Sequence, residues 1–169
     1  LAQLLRRTGD TTDGTHQHQM RELFRRMVFN ILIDNTDDHE KNHALLWQPA
    51  TRAGRLILAP AFDVLPTNSG QGHQEFTVGT DGRDSTLANA MSQCALFGLD
   101  NAAAAQEVLG VIAVVDSWQQ HFAACGVTAR DIASLAERID GEELLQQRRG
   151  FTAQAYGKAA PKRRRSPFA

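Results

Sequence analysis

Cysteine is scarce in this chain: only Cys94 and Cys125 occur among 169 residues. Two thiols so far apart, each inside an apolar helical pattern, exclude a disulfide framework and predict buried thiols in a reducing compartment, the cytoplasm. Net charge is nearly absent too, at -1 with a pI near 6.6. The chain as a whole therefore has no attraction to nucleic acid or to an anionic membrane, and any such affinity has to come from a local patch. No stretch approaches about 18 uninterrupted apolar residues and no charged-then-apolar leader opens the chain, which predicts neither a spanning helix nor a signal peptide. What is present, 42% hydrophobic and 22% charged residues, is enough for one packed core and too little for two large ones. The chain opens on Leu1 rather than methionine, as a piece of something longer would.

The hydrophobic pattern predicts a mainly α fold with a small β-hairpin. Residues 1 to 16 read as a polar lead-in, turn-rich around Gly9 and Gly14. Met20, Leu23, Phe24, Met27, Val28, Ile31 and Leu32 then recur at helical spacing, predicting a helix over 17 to 33. Asp34-Asn35-Thr36-Asp37-Asp38 ends it, because these side chains bond their own backbone and favour turns. Two short apolar runs, 44 to 47 and 56 to 59, flank a turn-prone stretch holding Pro49 and Gly54 and predict the hairpin. Residues 66 to 85, rich in glycine, read as a surface loop with one brief apolar run at 76 to 78. Helices follow at 86 to 97, entered through Asp84 or Ser85, at 101 to 124, at 128 to 139 behind a Thr128 cap, and at 142 to 148. The main domain is thus 17 to 149. From 150 to 169 the chain reads as a flexible tail carrying the basic run Lys162-Arg163-Arg164-Arg165.

Chemistry concentrates between the first long helix and the glycine-rich loop. Asp37 and Asn42 share the acidic stretch Asp37-Asp38-His39-Glu40-Lys41-Asn42, and Asp63 follows in Pro60-Ala61-Phe62-Asp63. Phosphoryl transfer needs three such groups: an aspartate for the acceptor hydroxyl proton, and an asparagine and an aspartate to hold magnesium on the nucleotide phosphates. An antiparallel hairpin returns the chain to its start, so Asp63 is expected near Asn42. An Asx-rich loop by itself also serves simply to stop a helix in water. Asp63, in an apolar frame from Ala59 to Pro66, tips the reading, because a carboxylate among such residues needs a cation or a hydrogen-bond partner. Hard oxygen donors of this kind suit magnesium. His39-Glu40-Lys41-Asn42-His43 also matches the zinc-hydrolase pattern HExxH, which requires a helix to bring both imidazoles to one face. A helix stop before it and a strand-like run after it argue against that geometry.

At these residues the chain resembles the HipA family of serine/threonine kinases, the toxins of bacterial toxin–antitoxin pairs. The resemblance is carried by Asn35-Thr36-Asp37-Asp38-His39-Glu40-Lys41-Asn42-His43, by Leu58-Ala59-Pro60-Ala61-Phe62-Asp63-Val64-Leu65-Pro66, and more weakly by Ser85 to Ala90 and Phe97-Gly98-Leu99. It implies a protein-kinase-like C-terminal lobe using ATP and Mg2+, with Asp37 as catalytic aspartate and Asn42 and Asp63 as magnesium ligands. His39 and Lys41 fall near the transferred phosphate in such a scheme. The family's glycine-rich phosphate loop and nucleotide-binding lysine have no counterpart here, so the lead-in would follow an upstream lobe without which the isolated chain is expected to be inactive. The implied partners are a protein substrate, with translation components one class by analogy, and a DNA-binding antitoxin of the HipB type through which DNA is reached only indirectly. The rival of a different class is a non-catalytic module that docks such an antitoxin, its basic tail adding affinity for nucleic acid.

Overall fold

The computed structural model describes residues 1–9, 14–49, 55–67 and 70–157. Seven α-helices and one two-stranded antiparallel sheet make up the regular structure of these residues. The mainly helical expectation with a single hairpin therefore holds.

The long helix α2 (Thr15–Leu32) is the axis of the fold. Its stripe of Phe24, Val28, Ile31 and Leu32 is fully buried, as apolar residues at three- and four-residue intervals require. Against this stripe packs α4 (Asn101–Asp116), through Ala104, Ala105, Val108, Ile112 and Val115. Small alanines on the first turns of α4 let its backbone approach α2, while the branched residues fill the far end. The short α3 (Leu87–Ser92) closes the same core with Leu87, Ala90 and Met91.

Several boundaries differ from the sequence pattern, each for a local reason. The polar lead-in is not all turn: Ala2–Thr8 forms α1, with Leu5 fully buried against Met20 and Leu23 of α2. A single well-placed leucine and its docking surface decide this, which a composition reading of seven residues cannot register. The helix expected over 86 to 97 is α3 followed, after Gln93, by a 3-10 turn at Cys94–Phe97 that Gly98 ends in a left-handed conformation. Its cap is Thr86, whose hydroxyl accepts from the Asn89 N–H, rather than Asp84 or Ser85. The helix expected over 101 to 124 breaks at Ser117 into α4 and α5 (Trp118–Ala124). Ser117 donates its hydroxyl to the Val114 carbonyl at 2.9 Å, a local bond that competes with the helix ladder. The Thr128 cap is where the sequence puts it, opening α6 (Ala129–Ile139). α7 spans Glu142–Gly150.

The packed structure continues past residue 150. Phe151 and Tyr156 stack with ring centroids 5.3 Å apart and pack against the core, with a 3-10 turn between them at Ala153–Ala155. The basic run at 162 to 165 lies outside the described residues, as do the hairpin turn at 50 to 54 and residues 68 and 69. Cys94 is buried as expected, but Cys125 is exposed just past α5, where the chain leaves the helix. No helix among the described residues is long and apolar enough to cross a membrane.

Candidate functional site

The candidate site is built where α2 runs out. Its last turn ends at Leu32, and Asp34 then adopts a left-handed conformation (φ 58°) that turns the chain out of the helix axis. Aspartate tolerates this region better than most residues because its short side chain bonds locally. The Asp34 carboxyl is half-buried; desolvation raises its pKa, partly opposed by Arg138 and by a hydrogen bond from the Gly70 backbone. The loop that follows is bonded down by side chains. Asn35 donates to the Asn30 side chain at 3.2 Å, and the Thr36 N–H donates to the Thr67 hydroxyl at 3.0 Å.

Asp37 comes next and is exposed. Its backbone carbonyl accepts two bonds, one from the His39 N–H at 2.9 Å and one from the Asn42 Nδ2 at 3.0 Å. The loop is therefore closed on itself, with Asn42 folded back against Asp37. The second bond also orients Asn42: with Nδ2 committed to a carbonyl, the amide oxygen is turned away from that carbonyl. Between them, Glu40–Asn42 is one 3-10 turn, with extended backbone at His39 and His43 on either side. That is not the α-helix HExxH requires, and among the described residues no group of three or more His, Cys, Asp or Glu is placed to hold a metal. The zinc-hydrolase reading is set aside on this geometry.

The hairpin delivers Asp63. Strand β1 (Leu45–Gln48) pairs antiparallel with β2 (Arg55–Leu58) in the register Leu45 to Leu58 and Gln48 to Arg55. The ladder continues one step further through the Ala59 N–H to the Ala44 carbonyl at 2.9 Å. At the other end of the same segment, the Thr67 N–H and hydroxyl donate to the Asp34 carbonyl at 3.0 and 2.8 Å. Residues 59 to 67 are thus tied at both ends to the loop that carries Asp37 and Asn42. Asp63 lies midway along that segment, exposed, with φ 54°.

The sequence places Asp63 among apolar neighbours, and here it corrects itself. Ala61, Phe62 and Leu65 are themselves exposed, so the carboxylate is in solvent rather than enclosed. They border an open cleft of about 990 Å3 between α2, α4 and the 61 to 65 segment, with Asp63 on its rim and Arg25, Arg26, Glu22 and Glu107 around it. Asp37 and Asn42 do not line that cleft.

Of the remaining candidates, Lys41 is exposed, and His39 is half-buried with its Nδ1 lacking a partner. Thr67 is the residue that sequence reasoning missed. No periodicity marks a threonine in a glycine-rich loop, and only the folded chain reveals that one hydroxyl joins Asp34, Thr36 and the Asp63 segment.

A family model described as HipA-like C-terminal domain matches residues 1–147. The chain belongs to this family. Its match begins at residue 1, so the HipA-like domain takes in α1 as well as the helices behind the loop. Comparison with curated proteins and with solved structures found no match. The amide at Asn42 and the solvent-exposed carboxylate at Asp63 are hard oxygen donors of the type that suits magnesium. Two protein ligands are also what magnesium usually takes, the remaining positions belonging to water and phosphate.

Proposed function

We propose that this HipA-like domain is the catalytic half of an ATP- and magnesium-dependent serine/threonine protein kinase of the HipA toxin type, a kinase-like C-terminal lobe. The observation that carries the reading is the double tie of the 59 to 67 segment, at Ala44 and at Asp34, to the loop in which Asn42 is bonded back to Asp37. These ties fasten the segment that carries Asp63 to the loop that carries Asp37 and Asn42, which supports the reading because catalysis of phosphoryl transfer is mostly positioning.

Asp37 orients the acceptor hydroxyl and takes its proton; exposure leaves the Asp37 carboxylate within reach of a hydroxyl on a docked protein. Asn42 and Asp63 would hold magnesium, which when bound neutralises charge on the nucleotide phosphates. His39 and Lys41 flank the loop, and Lys41, in solvent, is available to a phosphate oxygen. The glycine-rich phosphate cradle and nucleotide lysine come from an upstream lobe, and the domain alone is inactive. The protein substrate is of the translation-component class by family analogy, and the partner is a DNA-binding antitoxin of the HipB type.

In the full-length protein, Asp37→Asn is expected to abolish transfer of the γ-phosphate from labelled ATP while leaving the circular dichroism spectrum unchanged. Wild-type turnover in that variant would refute the assignment of Asp37 as the catalytic aspartate. The cleft beside Asp63, with exposed Phe62, Leu65 and Val114, supports the second reading of a non-catalytic docking module. That reading gains if antitoxin binding survives in a protein that never transfers phosphate.

A further inference from the structure

Asp38 and His43 play no part in the chemistry just described, yet both are withdrawn from solvent in a loop whose other charged residues are exposed or half-buried. Asp38 is 8% exposed, and its Oδ1 lies 2.8 Å from His43 Nε2, with only 11% and 9% of the two side chains accessible. The oxygen is out of line with the ring N–H, and neither ring nitrogen makes a directed hydrogen bond, so the contact is one of close polar packing. A buried carboxylate beside an imidazole is costly to form and more costly to break. A helix-stop loop in water has no use for such a pair.

The positions of the two residues in the chain explain it. Asp38 is the residue after Asp37, and His43 is the residue after Asn42. The pair therefore braces the loop at both residues at once, in addition to the Asn42 to Asp37 bond that closes it. His43 also begins the run into β1, so the brace is anchored to the hairpin that delivers Asp63. From the other side, the Phe76 ring packs on the His43 ring with centroids 5.3 Å apart. Phe76 belongs to the glycine-rich segment between the hairpin and α3, which makes His43 one point where that segment touches the loop. Asp38, His43 and Phe76 line a recess of about 270 Å3 together with Leu23 and Met27 of α2 and Phe97.

We infer that Asp38 and His43 are positioning residues: their contact holds Asp37 and Asn42 at a fixed separation, and Phe76 couples the 70 to 85 segment to that spacing. The inference rests on the kinase reading of the same loop. Neither side chain touches substrate or metal. Loss of the brace lets the two ends of a six-residue loop drift, and displacement by about 1 Å at a reacting group costs on the order of 100-fold in rate.

The test uses the full-length protein with Asp37→Asn, Asp38→Asn, His43→Phe and the exchange Asp38→His with His43→Asp. Each is assayed for kcat and for KM of magnesium-ATP, with casein as hydroxyl acceptor, and rates are normalised to folded protein by circular dichroism. Asp38→Asn and His43→Phe should each lower kcat about 10-fold or more, the phenyl ring keeping its contact with Phe76. The exchange should recover most of the loss, a result that a merely stabilising pair would not give. Wild-type kcat and KM in both single variants, with only the melting temperature changed, would overturn the inference. An inactive Asp37→Asn beside fully active Asp38→Asn and His43→Phe removes the brace alone; full activity in Asp37→Asn removes the Asp37 assignment and the brace with it, and no transfer by the wild type removes the kinase reading. Should either single variant fail to fold, the exchange decides: a folded exchange protein that stays as slow as the other single variant rules the brace out.

Discussion

Two aspartates with left-handed backbone, Asp34 and Asp63, bracket the candidate site, and among the described residues no other non-glycine has positive φ. Strain of this sort persists where surrounding bonds over-determine it, and Thr67 supplies those bonds for Asp34. Burial holds the Asp34 carboxyl above its usual pKa of 3.8. A raised carboxyl pKa means that the folded state holds the proton more tightly than the unfolded chain. The stability it contributes is greatest below the unfolded value and is lost as pH rises through the folded one. At neutral pH the charged form is thus a cost, which Asp34→Asn removes while keeping a side chain that tolerates the backbone. Its melting temperature should exceed that of the wild type at neutral pH, and thermal melts across acidic pH should show the gap closing towards pH 3.8. Asp63→Asn is the complementary case. An exposed side chain with an equally tolerant replacement should leave stability within about 0.5 kcal/mol of wild type, measured by urea unfolding. Magnesium-nucleotide affinity of the full-length protein should nonetheless fall, and an unchanged calorimetric titration would count against Asp63 as a ligand.

Elements end in this chain where a side chain offers the backbone something better than the next helical bond. Thr86, Asp100 and Thr128 open α3, α4 and α6 by accepting from the N–H groups of Asn89, Ala103 and Asp131. α4 is the element on which most depends, because its buried face completes the core against α2. Asp100→Ala removes a 2.7 Å bond and a favourable charge at the helix start, and should cost about 1 kcal/mol in urea unfolding. The Thr128 cap was readable from sequence because threonine followed by a polar turn and then an apolar period is a start signal in itself. Ser117 was not. It interrupts a stretch whose apolar period continues through Val115, Trp118 and Phe122, so periodicity passes over a break that one hydroxyl and a change of packing partner create. α1 escaped for the opposite reason: a helix of seven residues has little propensity to display and exists through docking.

On the scale of the whole molecule, one residue joins the helices behind the site. The Arg148 side chain is 2% exposed and bonds Asp116 at the end of α4, Asp140 at the end of α6 and the Ile139 carbonyl. Asp140 in turn accepts from the Trp118 indole, bringing α5 into the same network. Arg148→Met fills similar space but strands both carboxylates. Because each aspartate keeps some contact with water, the expected loss is about 2 kcal/mol rather than the larger cost of a fully enclosed pair, to be read from urea unfolding. Sequence alone determined the local frame of the candidate site: an Asx-rich helix stop holding Asp37 with Asn42 just beyond it, a hairpin from its paired apolar runs, and Asp63 a few residues past that. Those are local signals, legible because turn chemistry and two-residue alternation act on neighbours in the chain. Only tertiary structure decided how the pieces are held: Thr67 tied to Asp34, Asp38 set against His43, Phe76 on the imidazole, and Arg148 among three helices. Such contacts join residues whose spacing follows from where packed helices happen to bring the backbone, and no pattern along the chain encodes that distance.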